Sequence, residues 1–237
     1  MSTVRRSAGG GASLPAATSA VAPRFSAIQI SLSTFIRFDA ANGYRQIEVV
    51  EERRIPRDYE LYMDFYAGLR QRIQRLASEQ NLNARALASF AENVADQARK
   101  ERYRKVARGY AAFERRSRPA LAGTVPKQLW ADAGIRVTVD PEVVLLAAGQ
   151  RFITKLYLAK EKLESARLVA SLQMLRECYR TPTYRVAVLD VERGLLHRDT
   201  RLDERRSAII LRTTAAKFVG IWRALDEGVV PASLSAS

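Results

Sequence analysis

Asp140, Glu142 and Lys155 are the residues whose types and spacing could support chemistry. Asp140 and Glu142 lie on either side of Pro141, and Lys155 follows in the apolar stretch RFITKLYLA. Hard cations such as magnesium or manganese bind several oxygen ligands, so the two carboxylates are candidate metal ligands and Lys155 is a candidate catalytic residue. The competing interpretation is structural, because Asp-Pro is a common turn signal and a strand lysine usually lies on an exposed face or a sheet edge.

The segments around these three residues alternate between strand and helix patterns. IRVTV predicts a strand, EVVLLA and RFITKLYLA predict a hairpin about Ala148-Gly149-Gln150, and YRVAVLDV predicts a buried strand. Amphipathic helices are predicted for Ser165 to Tyr179 and for about Asp203 to Asp226. This order of hairpin, helix, strand and helix predicts an α/β region with a small mixed sheet over residues 130–228.

The same order, with DPE before the hairpin and a lysine in its second strand, resembles the restriction-endonuclease-like PD-(D/E)XK phosphodiesterase superfamily over about residues 130–195. The resemblance implies metal-dependent phosphodiester hydrolysis, with a Glu-x-Lys triplet on one strand. Here the equivalent triplet is Ile153-Thr154-Lys155, or alternatively Leu158-Ala159-Lys160, and both lack the acid. Glu161 is a further candidate oxygen ligand, but its setting in AKEKLE favours a solvated charge. The departure favours a fold without the reaction.

The N-terminal half is predicted to be mainly helical over residues 27–118. A short helix capped by Ser33 or Thr34 ends at Gly43, although Asn42-Gly43 is also a hairpin-turn signal. RQIEVVEERR then predicts a strand. Two amphipathic helices are predicted next, from Arg57 to about Ala77 and from Asn83 to Arg116 with a kink near residues 99–102.

The remaining segments are predicted to lie outside helices and strands. SRPALAGTVP predicts a loop. Residues 1–26 predict a disordered leader and residues 229–237 a flexible tail.

Basic residues are concentrated in one part of this helical region. The formal net charge is +14, and residues 99–118 hold nine basic side chains against two acidic ones. At helical spacing, Tyr103 and Tyr110 are expected to face the core, and five basic residues project from the opposite side: Arg104, Lys105, Arg108, Arg115 and Arg116. These five are candidate nucleic-acid-binding residues, and a solvated helix face is the competing interpretation.

The single cysteine and the single histidine exclude several chemistries. Cys178 rules out an internal disulfide and a cysteine-built zinc site, and we expect it to be a small buried hydrophobe. His197 in GLLHRD is expected in a surface loop, with an acid–base role as the alternative. Asp190 in VLDV is expected to cap a strand end, with a place in a polar site as the alternative.

Three functions are compatible with these patterns. The first is a non-catalytic cytoplasmic protein that binds the DNA or RNA backbone as an accessory member of a nucleic-acid-processing system, with no cofactor. The second is a magnesium- or manganese-dependent nuclease using Asp140, Glu142 and Lys155. The third is an assembly factor whose basic face meets an acidic protein. No apolar run approaches the roughly 18 residues of a membrane span, so no membrane partner is expected.

Overall fold

The computed structural model describes residues 28–54, 65–199 and 203–228. Within these ranges the fold is α/β, with helices in the N-terminal half and small mixed sheets in the C-terminal half, as the sequence predicts. The predicted leader, the predicted tail and the beginning of the helix predicted from Arg57 lie outside the described residues.

The strands form two sheets. In chain order they are β1 (Ile28–Ser31), β2 (Ala120–Gly123), β3 (Gln128–Asp132), β4 (Ile135–Val139), β5 (Val143–Ala147), β6 (Gln150–Tyr157), β7 (Tyr184–Asp190) and β8 (Leu195–Arg198). One sheet has the order β1-β4-β3 and the other β2-β5-β6-β7-β8. β1 is parallel to β4 and β6 is parallel to β7, whereas the other described pairs are antiparallel.

At least four of the helices begin at a residue whose side chain caps the first turn. They are α1 (Leu32–Ala40), α2 (Gly43–Arg54), α3 (Ala67–Ser78), α4 (Ala84–Glu92), α5 (Gln97–Ser117), α6 (Val169–Cys178) and α7 (Glu204–Asp226). The side chains of Ser31, Asn83, Asp96 and Asp203 each accept a hydrogen bond from a backbone N–H in the first turn of α1, α4, α5 and α7. These caps satisfy donors that the helix itself leaves without partners.

The five-stranded sheet contributes to two large hydrophobic cores. Along β6, Ile153 and Tyr157 belong to a core with α1, α2, α6, α7 and the three-stranded sheet. Leu156 belongs to the other core, which holds buried residues of α3, α4 and α5. This division follows from strand geometry, because successive side chains point to opposite faces. The central strands are therefore rich in apolar residues rather than alternating with polar ones.

Several predicted elements need correction in the N-terminal half. RQIEVVEERR forms α2 rather than a strand, because Gln46, Val49 and Val50 share one buried helix face. The Asn42-Gly43 hairpin is also wrong, since Gly43 (φ +44°) begins α2. The cap of α1 is Ser31 rather than Ser33 or Thr34.

The long helix predicted from Asn83 to Arg116 is two helices. The break falls at residues 93–96 rather than 99–102, because Asp96 caps a new helix. The loop predicted for SRPALAGTVP contains β2, and β3 and β8 were not predicted. These three strands are short and lie at sheet edges, where pairing with a neighbour decides their conformation.

At Gly109, the backbone of α5 packs directly against the backbone of the turn that follows β7. A Cβ at this position would overlap the carbonyl oxygens of Val191 and Glu192. We expect Gly109→Ala to lower the free energy of unfolding by about 2–3 kcal/mol, since α5 or the turn must shift. The control is Gly220→Ala on α7, where a Cβ meets nothing within 4 Å. This variant should raise the free energy of unfolding by about 0.5–1 kcal/mol. Equal urea midpoints for the two variants would contradict the close approach.

Candidate functional site

Asp140, Glu142 and Lys155 come together at the open end of the β5–β6 hairpin. The Lys155 side chain is 1% exposed, and its Nζ donates to Glu142 Oε1 (2.6 Å), Asp140 Oδ1 (3.1 Å) and the Asp140 carbonyl oxygen (3.0 Å). An ammonium group has three hydrogens to donate, so all of them are used. The interpretation of Lys155 as an exposed-face or edge lysine is wrong.

The hairpin register explains why Glu142 meets Lys155. Val143 pairs with Thr154 in the antiparallel ladder, so the preceding Glu142 lies opposite the following Lys155. The observed turn consists of Ala148 and Gly149 alone, because Ala147 pairs with Gln150; a three-residue turn at 148–150, as the sequence predicts, would place Glu142 opposite Leu156 instead. The sequence therefore indicates the hairpin but not the register that forms this ion pair.

The cluster does not fit a resident magnesium or manganese ion. Glu142 Oε2 accepts the Leu156 N–H at 2.8 Å, and Glu142 Oε1 and Asp140 Oδ1 are bound by Lys155. Burial raises the pKa of Glu142, and the Lys155 ammonium opposes that rise. Magnesium requires near-octahedral oxygen coordination, yet no group of three or more His, Cys, Asp or Glu side chains in the described ranges could hold a metal.

The other polar candidates, His197 and Asp190, are both buried. His197 is 6% exposed in β8, so the surface-loop prediction is wrong. Its Nδ1 lies 2.8 Å from Ser165 Oγ, and burial lowers the pKa of the imidazole. Asp190 is fully buried at the end of β7, where it accepts from the backbone N–H groups of Leu163 and Arg193, as expected of a strand-end cap.

Cys178 and the two tyrosines of α5 lie largely where the sequence indicates. Cys178, the last residue of α6, is partly buried beside the core, and burial raises the pKa of its thiol to about 11. Tyr103 and Tyr110 are buried, as predicted. The rings of both tyrosines therefore lie in the core rather than on the surface.

The five basic candidates on α5 divide into two groups. Arg104 Nε donates to Glu92 Oε1 of α4 at 2.6 Å, and Arg116 donates to the backbone carbonyls of Arg193 and Gly194. The remaining three are exposed and form no ion pair with any residue in the described ranges: Lys105, Arg108 and Arg115. We call these three residues the basic face of α5.

A groove with a volume of about 450 Å³ runs between α4 and α5 beside this face. Its floor consists of alanines from both helices, and its charged lining consists of Arg85, Glu92, Arg104 and Arg108. Arg85 was missed by the sequence analysis, which followed the charge pattern along one helix. Only the packing of α4 on α5 brings Arg85 to the groove that Arg108 also lines.

Asp39 at the end of α1 is a titratable group with a shifted pKa. It accepts hydrogen bonds from the N–H and Oγ of Ser171 at 2.8 and 2.7 Å. Burial raises the pKa of Asp39 from 3.8 to about 6, and the two Ser171 hydrogen bonds oppose this rise. Because the folded pKa lies above the unfolded value, Asp39 lowers stability as the pH rises from about 4 to about 6.

We therefore expect Asp39→Asn to change the pH dependence of stability. Asparagine stays neutral at every pH. The free energy of unfolding of the variant, relative to that of the wild type, should therefore rise by about 2 kcal/mol between pH 4 and pH 7. The side chain is in partial contact with solvent, so we expect a smaller change in free energy than the whole pKa shift would give. Urea unfolding across this pH range measures it. A constant difference between the two proteins would show that Asp39 titrates normally.

No helix within the described ranges has the length and apolar character to cross a membrane. No protein-family model matches the chain, and a search of curated proteins finds no match either.

Proposed function

We propose that this protein binds the phosphate backbone of nucleic acid through the basic face of α5, assisted by Arg85 across the α4–α5 groove. The observation that carries the proposal is that Lys105, Arg108 and Arg115 project from one helix without carboxylate partners in the described ranges. Cations held together in this way repel one another, and an approaching polyanion relieves the repulsion while releasing its own counterions.

The dimensions of α5 suit contacts with more than one phosphate. At 1.5 Å per residue, Lys105 and Arg115 are separated by about 15 Å along the helix axis. Phosphates of one DNA strand follow each other every 3.4 Å or so along the duplex axis. The basic face can therefore contact several phosphates of one strand. Such contacts carry no base information, so we propose little sequence preference.

The Lys155 cluster favours an accessory, non-catalytic role in a nucleic-acid-processing system. The cluster is buried apart from Asp140, and its polar atoms mostly satisfy one another. A metal-dependent nuclease using Asp140, Glu142 and Lys155 is the alternative activity. Incubation of the protein with DNA and RNA in manganese tests it, and cleavage abolished by a chelator would support it over the accessory role.

The alanine floor of the groove favours a second candidate, an acidic protein partner. Alanines let a helix backbone approach closely, while Arg85 and Arg108 offer charges to acidic residues at its rim. Co-purification of a stoichiometric protein partner, free of nucleic acid after nuclease treatment, would support this candidate.

The primary test is a titration of labelled single- and double-stranded DNA and RNA with the full chain, in chelator and at several salt concentrations. Four phosphate contacts predict that log K falls against log salt with a slope of about −3 to −4. Absence of binding even at about 50 mM salt would overturn the proposal.

A further inference from the structure

A second basic surface lies far from α5 in sequence, in a pocket of about 190 Å³. Its walls come from the end of α1, the first turns of α2, the end of β6 and the segment that follows β6. The pocket therefore lies beyond the carboxyl end of a strand that pairs in parallel with β7. In α/β sheets, this end of the parallel strands is where ligands commonly bind.

The lining contains four basic side chains and one carboxylate: Arg37, Arg45, Lys162, Arg167 and Glu161. Three of the cations have partial compensation nearby, because Arg37 pairs with Glu52 (2.8 Å), Arg45 with Glu48, and Arg167 with Glu164 (3.3 Å). Lys162 is exposed and forms no ion pair with any residue in the described ranges. Lys162 therefore supplies the unpaired positive charge of the lining, whereas the three arginines are shared with carboxylates that lie mostly outside it.

Glu161 is the carboxylate that enters this pocket. Its Oε1 lies 3.1 Å from Arg45, and the Tyr157 hydroxyl donates to its Oε2 at 3.4 Å. Burial acts to raise the pKa of Glu161, but its own backbone N–H and the Arg37 and Arg45 guanidinium groups hold that pKa below the usual range. The side chain remains 47% exposed on a segment outside any helix or strand, so it can turn into solvent without disturbing the core.

We propose that this pocket binds a phosphate group, with Glu161 as an internal anion that the ligand displaces. A phosphate dianion has more charge and more acceptor oxygens than a carboxylate, and arginine forks bind it in bidentate geometry. The volume suits a phosphate head rather than a whole nucleotide, since sites for larger ligands measure about 300 Å³ or more. This site is independent of the proposed function, because none of its residues belongs to α4 or α5.

The test is a calorimetric titration of the full chain with inorganic phosphate at low ionic strength. We expect weak binding to the wild type, about three- to tenfold tighter binding to Glu161→Gln, and a loss of similar size in Lys162→Glu. The matched control is Glu79→Gln, which removes the same charge from an equally exposed carboxylate that pairs with Arg75, and neither of these two residues lines the pocket; it should change affinity less than twofold.

Two results would overturn the phosphate site. One is the absence of heat from both the wild type and Glu161→Gln with millimolar phosphate, and the other is an equal effect of Glu161→Gln and Glu79→Gln. A parallel titration with a nucleoside 5′-monophosphate distinguishes the source of the ligand: tighter binding than inorganic phosphate indicates an ester, and equal binding indicates the free anion. A triple replacement in the basic face of α5 should leave all these affinities unchanged, which separates this site from the proposed nucleic-acid surface.

Discussion

Replacing Lys105, Arg108 and Arg115 together with glutamate should weaken nucleic-acid binding by about a hundredfold at near-physiological salt. Each side chain that contacts a phosphate contributes about 0.9 to the salt slope, so the slope should flatten by about 2.7. Fluorescence anisotropy with a labelled duplex, repeated at four or more salt concentrations, measures both quantities. The fold should be retained, because all three side chains are exposed and form no ion pair in the described ranges.

The matched control carries the same change of charge on another helix. Arg205, Arg206 and Lys217 are exposed on α7 and form no ion pair with a described residue, so their replacement with glutamate alters the net charge equally. We expect less than a fivefold loss of affinity, since only long-range attraction is reduced. Equal losses in the two triple variants would assign binding to net charge rather than to α5.

Arg104 and Arg116 are left out of the triple variant because both already bond to other groups of the protein. A glutamate at residue 104 would face Glu92, and a glutamate at residue 116 would face the carbonyl oxygens of Arg193 and Gly194. Each change would replace a bond between α5 and a neighbouring segment with repulsion. A loss of binding in such variants would not distinguish a lost contact from a damaged fold.

The elements that the sequence predicts correctly are those with strong local signals. The β5–β6 hairpin has two apolar runs about a tight turn, and α7 has both an Asp203 cap and a long amphipathic pattern. Helix α2 was missed because the adjacent Val49 and Val50 have high strand propensity. Their burial on one helix face depends on packing with α1 and α7, which a single segment does not reveal.

Site residues follow the same division between local and tertiary information. The sequence identifies Asp140, Glu142 and Lys155 by type, but only the two-residue turn of the structure sets the register that places Glu142 opposite Lys155. The sequence also does not reveal that the lysine is buried, because burial requires helices to cover the sheet. The two pockets are also tertiary features: Arg85 meets the basic face through the packing of two helices, and the phosphate pocket combines residues more than 100 positions apart.

The largest effect on stability is expected from Lys155→Met. Methionine fills much of the lysine volume but leaves the Glu142 carboxylate buried without its counter-charge. Breaking a buried pair by removing one partner typically costs about 3–5 kcal/mol, so the urea midpoint should fall sharply. Lys160→Met, at an exposed position five residues further on, is the control and should change stability by less than about 0.5 kcal/mol.

The double variant Lys155→Met with Glu142→Gln distinguishes a coupled ion pair from two groups that act independently. A neutral glutamine can still accept the Leu156 N–H through its amide oxygen, and no unpaired charge is left in the core apart from the partly exposed Asp140. The double variant should therefore be at least about 1–2 kcal/mol more stable than the sum of the single losses predicts. If it also binds nucleic acid like the wild type, the cluster stabilises the hairpin and takes no part in that binding. Additive losses would mean that Lys155 and Glu142 act separately, and the ion pair would not explain why both are buried.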